Sequence, residues 1–295
     1  MYRGILYMLL SSFSFALVNL LVKVLADKKD LFPAIQNYPE LELVFFRSII
    51  SLTICIAIIR SRKIPFFGNN KKWLFIRGAA GATALTMFFF TLNNLPMAIA
   101  TIIQYLSPVF TIIFAIYLNK EKVAPIQWLF FLIAMSGIAV IGVGKGTEGS
   151  LNLIWVVVGF VSAVFSGIAY NAIIKCRTTD EPVTVVMYFP LIAAPVTFIL
   201  LLIQGFVIPQ GIEWGLLLLI GILTQIAQVC MTRAFNSESA SSVTPIKYIG
   251  AIYAVLIGYF IFDETLSLYA TFGICLVLTG VLLNTFFKNR KQKTT

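Results

Sequence analysis

The chain consists largely of apolar runs, each about 20 residues long and able to cross a hydrocarbon core as a helix. Ten such runs lie near 4–26, 40–60, 73–93, 97–118, 125–143, 152–175, 183–204, 213–234, 240–262 and 267–287. They are continuous, whereas a barrel would alternate apolar and polar residues in short segments. Of 295 residues, 59% are hydrophobic and 12% charged. A soluble domain carries roughly twice that charged fraction. The surface must therefore face lipid, and the expected fold is an all-α polytopic membrane protein with ten transmembrane helices. The first run is too long for a signal peptide and is followed by "VKVLADKKD" with no small-residue cleavage site, so it reads as an uncleaved span.

Lysine and arginine set the expected orientation. With the N-terminus inside, the inner segments hold Arg3, Arg60, Arg62, Lys63, Lys71, Lys72, Arg77, Lys120, Lys122, Lys175, Arg177, Arg233 and the tail "KNRKQKTT". The outer loops hold Lys28, Lys29 and Lys145. Both termini are thus expected on the cytoplasmic side of a bacterial-type inner membrane. The net charge of +10 reads as a topology signal and the tail as a lipid-surface anchor, with no nucleic-acid partner. Nothing in the sequence chooses between a monomer and a homodimer.

Comparison of the chain with itself reveals a repeat. At a shift of 143 residues Phe46 meets Phe189, Gly78 meets Gly221, Asn93 meets Asn236, Thr101 meets Thr244, Tyr105 meets Tyr248, Glu121 meets Glu264 and Gly137 meets Gly280. The first span matches the sixth at a shift of 152, pairing Asn19 with Asn171 and Lys23 with Lys175. Residues 1–146 and 147–295 are therefore expected to form two five-span repeats. An odd number of spans inverts the second copy, and inverted repeats place a substrate site near the midplane at their interface.

Recognised catalytic machinery is missing. There is no histidine, which removes His-dependent nucleophile pairs and proton relays. The acids all fall in loops or near span ends, so no intramembrane aspartyl dyad and no deep carboxylate for a cationic substrate is available. Cys55, Cys176, Cys230 and Cys275 show no CxxC spacing and read as small apolar residues. No enzyme activity, cofactor or metal is expected.

Two cations do lie within spans. Lys247 sits about 10 Å into the ninth span, and Arg47 at a similar depth in the second. Each either snorkels to the interface or faces a cavity. At Lys247 the cavity reading is favoured by Pro245, which frees a backbone carbonyl, by neighbouring Tyr248, and by its repeat partner Gln104 beside Tyr105. Asn19, Asn171, Gln225 and Gln228 are candidates for the same cavity or for interhelical hydrogen bonds. Glu121 and Glu264 end the fourth and ninth spans, as ordinary loop acids beside basic neighbours or as gating groups. The stretch "RGAAGATA" reads as a small-residue face for close helix packing.

The segment "AIATIIQYLSPVFTIIFAIYLNKEKVAPIQWLFFLIAMSGIAVI" resembles the end of an EamA domain, and "RAFNSESASSVTPIKYIGAIYAVLIGYFIFDETLSLYATFGICLVLTGVLL" resembles it again. The chain is similar to ten-helix members of the drug/metabolite transporter superfamily. The resemblance implies alternating access and a cavity formed mainly by the third, fourth, eighth and ninth spans. It implies Glu121 and Glu264 as motif acids and Pro108 as motif proline; Gly250 stands at the matching place in the second copy. The pattern from Phe235 to Tyr248 resembles members that move S-adenosylmethionine or amino-acid-like metabolites. The expected function is secondary transport of a small polar metabolite, zwitterionic or carboxylate-bearing. A passive facilitator using the same cavity is the alternative.

Overall fold

A peptide group in lipid has no water to bond, so the backbone must satisfy itself within each segment. The computed structural model does so with helices. It describes residues 2–26, 32, 35–119, 125–143, 145–146, 149–150, 152–237, 247, 249–264 and 266–292. The helices are α1 (Tyr2–Leu25), α2 (Glu40–Arg62), α3 (Lys71–Asn94), α4 (Met97–Gln104), α5 (Ser107–Asn119), α6 (Pro125–Val143), α7 (Leu153–Cys176), α8 (Pro182–Gln204), α9 (Glu213–Ser237), α10 (Ile249–Phe262) and α11 (Leu268–Gln292). A two-residue antiparallel ladder joins Lys145–Gly146 to Gly149–Ser150. Six of the helices are long and apolar enough to cross a membrane, and shorter apolar stretches occupy the places expected for the other spans. The protein is a polytopic all-α membrane protein.

The expected fourth span is broken in two. α4 ends at Gln104, and Tyr105 and Leu106 form a turn before α5 begins at Ser107. Pro108 supplies the cause. Its nitrogen carries no hydrogen for the Gln104 carbonyl one turn earlier. The chain recovers at once, with the Val109 and Phe110 amides both donating to the Leu106 carbonyl at 2.9 and 3.2 Å.

α1 packs on α9, α3 on α7, α2 on α8, α4 on α10 and α6 on α11. Large apolar side chains such as Leu6, Ile203, Phe260 and Leu268 point outward, while Ser11, Ser51, Thr91, Ser162 and Thr224 are buried between helices. Two repeat-matched glycines make close approaches. Gly78 of α3 lies against the Tyr188 carbonyl of α8, and Gly221 of α9 lies against Ile50 of α2. Gly78→Val would push a branched side chain into backbone and should destabilise by about 1–3 kcal/mol. Gly215→Ala, which meets nothing within 4 Å, should not. Melting in detergent checks this: the valine variant should melt below wild type and the alanine variant at or above it.

Candidate functional site

The broken helix opens onto a central cavity, with about 150 Å3 accessible to the centres of water-sized molecules. Its walls come from more of the bundle than the third, fourth, eighth and ninth spans. α1 contributes Ser12, Phe15 and Asn19, α2 Arg47, and α7 Ser166 and Tyr170. α8 adds Phe189, α9 Gln228 and Met231, and α10 Gly250.

Lys247 lines this cavity just ahead of α10. Its ammonium donates to the Tyr170 hydroxyl at 2.9 Å and stands 4.3 Å from the centre of that ring. Tyr105 also lines the cavity. A Cβ at Gly250 would overlap the Tyr105 hydroxyl, so the bare backbone there leaves room for that side chain. Gln104 is present, but both ends of its amide are engaged by α7. It donates to Ser166 at 2.7 Å and accepts from Ser162 at 3.0 Å.

Arg47 does not snorkel. It is 2% exposed, with its guanidinium 5.5 Å from the centre of the Phe89 ring and 5.8 Å from that of Phe189. Arg77, expected among the cytoplasmic flank charges, is instead 3% exposed and lines the same cavity. Its guanidinium runs forward along α3 into the space left by Gly81, where a Cβ would overlap it. "RGAAGATA" therefore has two uses, helix packing at Gly78 and a berth for Arg77 at Gly81. Arg77 lies 6.0 Å from the centre of the Phe189 ring and donates to Gln228 at 3.1 Å. Among the described residues no carboxylate lies within ion-pair distance of Arg47, Arg77 or Lys247.

Two candidates fall outside the cavity. Gln225 accepts from Ser51 at 2.6 Å and contacts the Cys55 thiol, tying α9 to α2. Asn171 donates to the Thr111 and Gly167 carbonyls at 2.9 and 3.0 Å, tying α7 to α5. Both act as interhelical bonds. Tyr248, Pro245 and Glu121 lie outside the described residues.

Glu264 is not a plain loop acid. One carboxylate oxygen pairs with Lys23 of α1, and the other accepts from the Met97 amide at 2.7 Å, at the first turn of α4. Lys23 also donates to the Leu95 carbonyl at 3.3 Å and stands over the Phe262 ring. This cluster fastens α1, α4 and the end of α10 together at one end of the bundle. Sequence reasoning noted Lys23 as a repeat match only. Its depth, 13% exposed beside a Glu264 at 8%, arises from packing.

The EamA-like transporter family matches residues 2–143 and again 153–286. The chain belongs to the EamA-like transporter family. It is 32% identical over 263 residues to the pseudopaline exporter CntI of Pseudomonas aeruginosa, covering 88% of each chain. It is 26% identical over 295 residues to human solute carrier family 35 member G1, covering 94% of this chain and 78% of that one. To the S-adenosylmethionine uptake transporter of Rickettsia felis it is 21% identical over 224 residues, covering 76% and 75%. A solved crystal structure superposes with a TM-score of 0.63 at 18% identity, covering 98% of this chain and 99% of that one, which establishes a shared fold. This EamA-like protein is a membrane transporter and not an enzyme.

The Lys23–Glu264 pair is partly buried, so removing either partner leaves a charge stranded. Lys23→Met and Glu264→Gln should each lower the melting temperature. The double variant should lose less than the two losses added, with a coupling of about 0.5–3 kcal/mol. Strict additivity would show that the pair contributes nothing.

Proposed function

We propose that this EamA-like transporter is a secondary carrier for a small polar metabolite bearing a carboxylate, an amino acid or an S-adenosylmethionine-like compound. It works by alternating access in an inner membrane, with both termini cytoplasmic. The observation that carries this reading is Lys247, whose ammonium faces the cavity with Tyr170 as its hydrogen-bond partner among the described residues. A buried cation without a counter-charge is costly, and a substrate carboxylate lowers that cost. The relatives named for pseudopaline export and S-adenosylmethionine uptake are consistent with a metabolite cargo.

The helix pairing supports a mechanism of two inverted halves. α1 on α9 and α3 on α7 are contacts that a two-fold relation would exchange, while α2 on α8 and α6 on α11 would lie across the axis. In this reading Lys23–Glu264 is the latch of the outer end. At the inner end the repeat equivalent of Lys23 is Lys175, which donates to the Leu118 carbonyl at 3.3 Å; Glu264 matches Glu121 in the sequence repeat. A carrier closes one end when it opens the other, whereas a passive facilitator would leave both ends passable.

Ligands found by a thermal-shift screen of metabolites should be carboxylates, because a ligand stabilises the state it binds by mass action. In proteoliposomes they should show saturable counterflow. Lys247→Met keeps most of the stem and should weaken their affinity at least tenfold, with Lys247→Arg intermediate because a planar fork does not replace a compact ammonium. Unchanged affinity in Lys247→Met, or equal competition by a ligand and its methyl ester, would sink the carboxylate reading. Flux without counterflow would favour the facilitator. For orientation, in a cysteine-free background, a cysteine at Asp30 should react with an impermeant reagent added outside and one at Asn69 should not. The reverse pattern would invert the topology.

A further inference from the structure

The cavity holds more positive charge than one carboxylate can answer. Arg47 and Arg77 are each more than nine-tenths buried, and both line the cavity that Lys247 lines. The Nε of each is buried without a hydrogen-bond partner. The two guanidiniums flank the same Phe189 ring. Among the described residues Arg77 has one polar partner, the neutral Gln228, and Arg47 has none. Tyr170 and all three cations line this same cavity. No aspartate or glutamate stands among the described residues of its wall.

From this geometry we infer that the Arg47–Arg77 pair is a second anion subsite, and that the transported molecule carries at least two carboxylates. This rests on the carrier reading and on Lys247 as the first subsite. Planar guanidiniums suit the second role, since each offers paired N–H groups that match the two oxygens of a carboxylate. Contact with aromatic faces orients them without quenching their charge. The residue types divide the work: a compact ammonium held by Tyr170 on one side, and a rigid double fork on the other. Phe15, Phe88 and Met231 line the apolar remainder, where the carbon frame between the carboxylates would lie. Such a wall repels a net cation, and a monoanion leaves one subsite empty. Among the metabolite classes proposed above, a dicarboxylic amino acid therefore fits it, and S-adenosylmethionine, with one carboxylate and a net positive charge, does not.

The test uses the purified full chain in detergent with probes of defined charge. These are the dicarboxylates from malonate to adipate, the tricarboxylate tricarballylate, the monocarboxylates acetate to hexanoate, and chloride at matched ionic strength. At least one di- or tricarboxylate should bind ten or more times tighter than every monocarboxylate, read by thermal shift and confirmed by calorimetry. Arg77→Gln should reduce that preference to below threefold. Arg77→Lys, which keeps the charge and guards against misfolding, should retain part of it. Equal binding of mono- and dicarboxylates would overturn the second subsite. So would stabilisation by chloride matching that by dicarboxylates, the absence of binding by any polycarboxylate, or an unchanged preference in Arg77→Gln. The Lys247 carboxylate reading fails separately, when Lys247→Met leaves carboxylate affinity untouched, and the carrier reading fails when flux shows no counterflow.

Discussion

A guanidinium moved out of water without a counter-charge loses several kcal/mol even after its surroundings relax, on the order of what a whole domain has in reserve. Arg47 sits in that position at the centre of the bundle, with Arg77 beside it. Stacking on Phe89 and Phe189 returns about 0.5–2 kcal/mol for each contact, less than the burial costs. Tight packing on every side would make the site untenable, so the surrounding helices leave a cavity. The break between α4 and α5, the bare backbone of Gly81 and Gly250, and the ring of Ser12, Asn19, Ser107 and Ser166 all serve that space.

The bundle's ends differ. Lys23 and Glu264 close one of them, and Glu264 also caps the first turn of α4, the helix whose other end meets the cavity at Gln104 and Tyr105. A carboxylate at a helix N-terminus meets the positive end of the helix dipole. The same acid therefore holds a neighbouring helix and fixes the short rod that forms a cavity wall. At the opposite end Asp180 accepts from the Asn70 amide just ahead of α3, at 3.3 Å. Carboxylates thus stand at helix starts at both ends, one of them tied to the short α4 that reaches the centre.

Much of the fold was legible in the sequence, because lipid leaves a helical chain few alternatives: apolar runs of spanning length locate the helices within a few residues. Lys247 was legible because a charge in an apolar run stands out. Arg77 was not, because it follows Lys71 and Lys72 by less than two turns and reads as one more flank charge; its forward reach over Gly81 shows only in the structure. Tyr170 is a polar-tipped residue within a span, but nothing in the sequence pairs it with Lys247, 77 residues away. Gln225 and Gln228 lie about 60° apart around α9, enough to send the first to Ser51 of α2 and the second to Arg77. Sequence spacing placed them on one side of the helix, and the neighbours decided their roles. Pro108 was legible as a motif residue, but the turn at Tyr105 and Leu106 needs the helix that the proline interrupts.

The most direct measurement is anomalous diffraction from crystals grown with 2-bromosuccinate, whose bromine marks the carbon frame between two carboxylates. The expected result is a bromine peak inside the central cavity, with one carboxylate against Lys247 and Tyr170 and the other against the Arg47 and Arg77 guanidiniums. Bromine found only at the protein surface, or a cavity occupied with its carboxylates turned away from all three cations, would contradict the central claim that these buried charges exist to receive an anionic cargo.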